Sequence, residues 1–360
     1  MLLKIYQKYI IKLFLVTILK TSLIFLSLIF IMGIFEELSF FSKLEVNFYF
    51  PLFLVFLNSF SFLYEIFPFI FLISAQFFFI HILDSNELIA FKNYGLSNVK
   101  ILKIISLTSF LMGSLIVFIF YNLSAVMKFE YLDLKNQYTN DNRYLASITE
   151  NGLWIKDQNS NKITFTNAEE ISLNKLYDVD ILVFNKDFSL DKIIFSKEID
   201  VSNTIWQMDK ATIIDKNNMS EEFINFRFNS NFNYEKINNL YSNLSSLTFF
   251  DLIKMRSDYK LINYSITEID LHLKRIFSYP FFLTIMTIFS SIIMLNIKHQ
   301  KPKIFYIVGG ILISVIIYYV NFFFGVLGKN EQIPSIISIW LPILLLSLLS
   351  LIGTTRLNEK

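Results

Sequence analysis

Three long apolar stretches, a polar island at residues 122–265 and three more apolar stretches restrict this chain more than any other feature. Residues 13–35 are apolar apart from Lys20. As a helix rising about 1.5 Å per residue, these 23 positions reach roughly 35 Å, enough to cross the hydrocarbon of a bilayer. The run is too long for a cleavable leader and has no small-residue cleavage site. Residues 48–83 form a second run of 36, which as one helix would reach roughly 54 Å, more than a bilayer needs. A break is expected near Glu65 and Pro68, with Pro51 opening a short interfacial helix and residues 66–83 crossing. Runs at 99–121, 276–297, 304–327 and 333–352 bring the total to six. With 54% hydrophobic and 17% charged residues and a mean hydropathy of +0.50, a soluble domain could not cover this much apolar surface, so lipid must receive it. The chain has no cysteine, which excludes disulfides and thiolate chemistry, and His81, His272 and His299 are too scattered for a metal motif.

Charge follows the same division. Residues 122–265 hold 16 Lys/Arg against 20 Asp/Glu, and the rest hold 16 against 10. The surplus cations flank the spans, a pattern of membrane topology rather than of nucleic-acid binding. Lys4, Lys8, Lys12, Lys92, Lys100, Lys103, Lys298, Lys301, Lys303, Arg356 and Lys360 fall on one set of flanks, while the opposite short loops carry Lys43 and Lys329. The cation-rich side is expected to be cytoplasmic, with both termini on it and residues 122–265 outside.

The island reads as β structure. Ile224, Phe226 and Phe228 alternate with polar residues, as do Ile163 and Phe165, and Ile181 and Val183 mark another short run. Turn-forming clusters at 157–161, 185–187 and 215–218 separate such runs, so about seven or eight strands are expected between Gly152 and Asn229, closing into a sandwich or jelly roll. Thr248 and Asp251 are spaced as a capping box for a helix, and a second helix from Thr267 leads back to the membrane. The expected fold class is therefore membrane α plus β: residues 1–121 with spans one to three, 122–265 a β-jellyroll-like domain with flanking helices, and 266–360 with spans four to six.

Little here supports chemistry. The Gly328-Lys329 pair is followed by Asn330 and lies on an outer loop, so it is no phosphate-cradling motif. No Ser-His-Asp or two-carboxylate arrangement emerges, and Glu36-Glu37 reads as a solvated helix end. Neither a cofactor nor catalysis by the chain alone is expected. Residues 84–96 are more informative. Asp84 and Glu87 have capping-box spacing, Gly95 supplies a helix stop, and Ser97 is placed to cap the next span. A short helix at the membrane surface results. It is either an amphipathic connector or a coupling helix seated in a cytoplasmic partner, with Leu88, Ile89 and Phe91 as apolar contacts and Glu87 available to an Arg.

Four stretches, in order, carry a resemblance: Lys8-Tyr9-Ile10; Glu87-Leu88 with Gly95; Gly152-Leu153-Trp154 with Lys156-Asp157; and Ile333-Pro334 with Ile336-Ile337 and Leu341-Pro342. On these the chain resembles the LptF/LptG permeases, membrane subunits of the ABC transporter that extracts lipopolysaccharide from the bacterial inner membrane, and the third stretch is more like LptG. The resemblance implies a heterodimer with an LptF-like permease and an LptB-like ATPase dimer that supplies the missing nucleotide site. It implies a periplasmic β-jellyroll that hands lipopolysaccharide to LptC/LptA-like bridge proteins. It also implies ATPase coupling through the segment holding Asp84, Glu87, Leu88, Phe91 and Gly95.

Within that frame, Ile163, Phe165, Ile181, Val183, Ile224 and Phe226 are candidates to line an acyl-chain groove, each buried CH₂ contributing about 0.8 kcal/mol, or else to form an ordinary closed core. The chain departs from the family at the outer end of span one, where a basic residue is often found and Gly33, Glu36 and Glu37 stand instead. Lys20, a cation inside a span, is a lipid-contact candidate because such a charge is costly there, or it snorkels. The rival functions are a membrane-anchored sensor or scaffold, and a mechanotransmitting ABC subunit with a protein-binding periplasmic domain.

Overall fold

A computed structural model describes the chain except at residues 1–3, 43–45, 137, 139–152, 160–161, 173, 186–188, 216–218, 235–236, 238–242, 262–264, 297–301 and 359–360. Gly152, Lys43, Lys298, Lys301 and Lys360 therefore lie outside the described residues. Helices α1 (Ile5–Phe41), α2 (Tyr49–Asp84), α3 (Glu87–Asn93) and α4 (Asn98–Leu115) come first, α4 running through a π-helical stretch (Ile116–Tyr121) into α5 (Asn122–Asn136). Six strands follow, then α6 (Phe249–Leu261), α7 (Thr267–Leu295), α8 (Lys303–Lys329) and α9 (Ser335–Asn358). Among the described residues, six helical stretches are long and apolar enough to cross a membrane: α1, α2, α4 with α5, α7, α8 and α9. The expected layout of three spans, an inserted β domain and three spans is borne out. Two compact units result, one of Met1–Lys128 with Thr267–Lys360 and one of Phe129–Ile266.

In the helical unit α1 lies along α2, while α2 and α4 pack on α7. Phe14, Ile70, Phe71, Phe78, Phe79, Ile105 and Leu283 fill the centre. Small residues let backbones approach: a Cβ on Gly33 would stand 2.8 Å from Val55 Cγ1, and one on Gly113 3.0 Å from Pro280 Cα. Hydroxyls join neighbours across the apolar interior, with Ser109 Oγ donating to Thr287 Oγ1 at 2.9 Å and Ser290 Oγ to the Leu72 carbonyl at 2.7 Å.

The break expected near Glu65 and Pro68 does not occur. α2 is one helix of 36 residues with Pro68 inside it. A proline removes the N–H that would bond the carbonyl four residues earlier, here that of Tyr64. The Tyr279 hydroxyl of α7 donates to that carbonyl. The freed acceptor is thereby satisfied across the helix interface, and α2 continues unbroken.

Strands β1 (Leu153–Asn159), β2 (Lys162–Ser172), β3 (Lys175–Asn185), β4 (Leu190–Asp200), β5 (Ile205–Asp215) and β6 (Ser220–Asn229) form one antiparallel sheet in sequence order. Six strands, most of 10 or 11 residues, occupy the stretch where turn clusters suggested seven or eight. Asp178 (φ 46°) and Asn225 (φ 57°) adopt left-handed backbone inside β3 and β6. Such residues break the alternation of a strand and increase its curl. In β3 the inward positions change parity there, from Leu176 to Val179, Ile181 and Val183.

The inner face is completed by the chain after β6, where Phe232 and Ile237 are wholly buried among Leu153, Val179, Ile194, Trp206 and Met208. The Trp206 indole N–H donates to the Phe232 carbonyl at 2.8 Å, and the Tyr234 N–H to the Val201 carbonyl at 2.7 Å. Asp157, only 2% exposed, draws the same segment onto β1. Its Oδ2 accepts from Ser230 Oγ and the Asn231 N–H and its Oδ1 from Asn231 Nδ2, each at 2.8 Å. On the surface, hydrogen bonding and charge from Glu198 hold the Lys175 ammonium above its ordinary pKa. Hydrogen bonds from the Ser202 hydroxyl and N–H hold the Asp200 carboxyl below the usual range.

Candidate functional site

Within residues 84–96, α3 makes two turns of helix. Its stop is a Schellman motif: Gly95, at φ +79°, donates to the Lys92 carbonyl at 2.9 Å, and Leu96 donates to that of Phe91 at 2.9 Å. Ser97 Oγ accepts from the Lys100 N–H at 3.3 Å, so the next span is capped as expected. The N-terminal capping box is not formed. Asn86, at φ 55°, is the N-cap and no side chain caps the helix. Asp84 instead ends α2 and is ion-paired with Lys303, the first residue of α8. Leu88 and Phe91 pack against the membrane core, while Ile89 and Tyr94 face outward. Glu87 Oε1 accepts a hydrogen bond from the Tyr9 hydroxyl at 2.8 Å.

The Asp84–Lys303 pair brings the α2–α3 and α7–α8 ends together, marking one end of the bundle. Arg275 lies 20 residues before the end of α7 and Glu65 lies 19 before the end of α2, so both stand roughly 30 Å along the bundle from α3. A bilayer core is about that thick, so these charges sit at the headgroup level of the opposite leaflet. Lys128 reaches the same region, its Nζ 5.8 Å from the centre of the Phe62 ring. Glu65 is near enough for its charge to act on both Lys128 and Arg275, yet neither cation has an ion-pair or hydrogen-bond partner among the described residues. Arg275 is exposed, and a Cβ on Gly325 of α8 would stand 3.0 Å from its Nη2.

An aromatic wall supports this group. Tyr64 stacks on Tyr279 at 4.7 Å and lies 5.2 Å from Tyr121, whose hydroxyl is 3.0 Å from His272 Nε2. Phe62 also lines a cleft of about 250 Å³ between α1 and α2, with Ile29, Met32, Gly33, Val55 and Ile66 as apolar walls. Glu36, Glu37 and Asn58 provide its polar edge, and Glu37 is buried inside the bundle rather than at a solvated helix end. Lys128, Arg275 and Glu65 thus stand at one level, with Phe62 joining Lys128 to an apolar cleft whose polar edge carries two further carboxylates, Glu36 and Glu37.

Sequence reading missed Arg275, Lys128 and Glu65. They come from three separate helices, and the available signal was a charge placed within or beside an apolar run. Lys20 lies elsewhere, on the uncovered face of α1 beside Leu19 and Leu23. The six β-domain candidates do not share a face. Ile181 and Val183 are in the closed core, with Phe226 packed at its edge. Phe165 meets Phe184 on the opposite face, and the strand pairing places Ile163 on that face too. Ile224, 78% exposed, is turned outward beside the left-handed Asn225. Among the described residues no group of His, Asp and Glu is placed to hold a metal ion.

The family model of the lipopolysaccharide export system permease LptF/LptG matches residues 8–356. The chain belongs to the LptF/LptG family. It is thus a permease subunit of a lipopolysaccharide-export ABC system, from a family whose permeases are not themselves catalytic, and a multi-pass protein of the inner membrane. A search of curated proteins found no match. Membership gives the quoted motifs a structural setting in an LptF/LptG chain. Leu153 and Asp157 anchor β1 in the core, Tyr9 meets Glu87, and Pro334 precedes α9, its carbonyl accepting from Ser338 at 3.1 Å.

Proposed function

We propose that this chain is the LptG-like half of the exporter and that the cleft with Arg275 and Lys128 receives the phosphorylated end of lipopolysaccharide. The cations without partners beside an apolar cleft carry this reading. A guanidinium at the headgroup level with no ion pair of its own, beside the Lys128 ammonium, can receive an anionic headgroup. Phosphate would meet Arg275 and Lys128, acyl chains would lie along Met32, Val55 and Ile66, and Glu65 would keep the empty site from accumulating charge. The departure at Gly33 then has an explanation: the cationic role sits on α5 and α7 instead of the outer end of α1.

A separate LptB-like ATPase dimer would drive the cycle through α3, on the side that the cation bias makes cytoplasmic, in a heterodimer with an LptF-like partner. The β domain would hand lipid to LptC/LptA-like bridge proteins. β6, an edge strand exposed along its length with Ile224 outward, offers its free backbone for a strand of the next protein. Glu87→Ala and Glu87→Arg are expected to lower lipid-stimulated ATPase activity of the purified complex by about tenfold or more, the scale of a lost charge-assisted contact. Circular dichroism of the chain should stay unchanged. Full stimulation in Glu87→Arg would count against coupling through α3.

A further inference from the structure

α3 is a seven-residue helix between two sharp turns, at Asn86 with φ 55° and at Gly95 with φ +79°. A helix so mounted swings unless something holds it, and a tie to α1 does so. The Tyr9 hydroxyl of α1 donates to Glu87 Oε1 at 2.8 Å, and the Tyr9 ring meets Phe91 edge-on at 6.4 Å. Asp84, the last residue of α2, is ion-paired with Lys303 and so joins α8 to α2 rather than to α3. The second oxygen of Glu87 is buried and has no hydrogen-bond partner among the described residues. One oxygen is thus fixed by a phenol and the other is left for a cation.

The helix reached by this tie is lightly packed. α1 and α8 are the two spans least covered by the rest of the chain, whereas α2 and α7 are the most enclosed. A lightly packed span shifts without opening a core, and an enclosed one does not. We propose that Tyr9 is a positioning residue that fastens α3 to α1, so that displacement of α3 reaches that lightly packed helix. This rests on the reading of α3 as the ATPase-coupling segment. Loss of the Tyr9 hydroxyl frees the Glu87 carboxylate and lets the stroke dissipate in the flanking turns.

The test uses the whole complex, chain with permease partner and ATPase, in proteoliposomes containing lipopolysaccharide. Tyr9→Phe should reduce lipid-stimulated ATPase activity about 5- to 10-fold, as expected for one charge-assisted hydrogen bond. The double variant Tyr9→Phe/Glu87→Gln should be no slower than Glu87→Gln alone, because both changes remove one interaction. Tyr49→Phe, which alters a phenol far from α3, should match the wild type. Full stimulation in Tyr9→Phe or additive losses in the double variant would overturn the proposal. If Glu87→Gln itself leaves stimulation intact, the coupling assignment of α3 falls and the proposal falls with it.

Discussion

Arg275→Gln, combined with Lys128→Gln, is expected to raise the lipopolysaccharide concentration that half-saturates ATPase stimulation by roughly 10- to 100-fold. Each cation offers charge-assisted hydrogen bonds of about 1.5–3 kcal/mol to a phosphate, and tenfold in affinity is about 1.4 kcal/mol. The two effects should not simply add, since both groups share the field of Glu65. The diagnostic comparison is a dephosphorylated lipid, which should stimulate wild type and variant alike. Equal weakening toward both lipids would mean that the substitutions damage the bundle and that no phosphate meets these side chains. Glu65→Gln should act in the opposite sense, tightening the phosphorylated lipid and slowing its release.

The second large effect is expected in the β domain. Asp157→Ala removes the acceptor on which Ser230 and Asn231 converge and loosens the segment that carries Phe232 into the core. A loss of about 3–4 kcal/mol is expected, the range for a buried, multiply bonded carboxylate. Urea unfolding followed by the fluorescence of Trp206, which bonds the Phe232 carbonyl, reads this directly. Asp200→Ala gives the contrast. That carboxylate bonds Ser202 at an exposed turn and feels the charge of Lys175 across the strand pair, so the change should cost well under 1 kcal/mol. Similar losses for the two would remove Asp157 from its place as the latch of the domain.

The span count and the inserted β domain were legible because hydrophobic length and period-two alternation are local signals. So was the Gly95 stop, since a left-handed residue closing a short helix leaves its mark in the sequence. The continuous α2 was not legible. Whether Pro68 breaks a helix depends on whether another helix supplies a donor for the Tyr64 carbonyl, and Tyr279 lies more than 200 residues away. The outward turn of Ile224 was hidden for a related reason: a non-glycine residue in left-handed backbone, Asn225, reverses the face of a strand that otherwise alternates well. Asp84 and Glu87 had the spacing of a cap, but each found a stronger partner across the bundle, Lys303 and Tyr9. The candidate site was the least legible. Glu65, Lys128 and Arg275 are unremarkable in sequence, and only the packing of α2, α5 and α7 brings their charges to one level.

A photoreactive phenylalanine analogue in place of Phe62, which lines the cleft and faces Lys128, tests the central claim most directly. In the intact complex, lipopolysaccharide should be captured there in preference to bulk phospholipid, and the adduct should disappear when ATP is added. An analogue at Leu19, on the uncovered face of α1, should capture both lipids indifferently to ATP. Indifferent capture at position 62 as well would contradict the account.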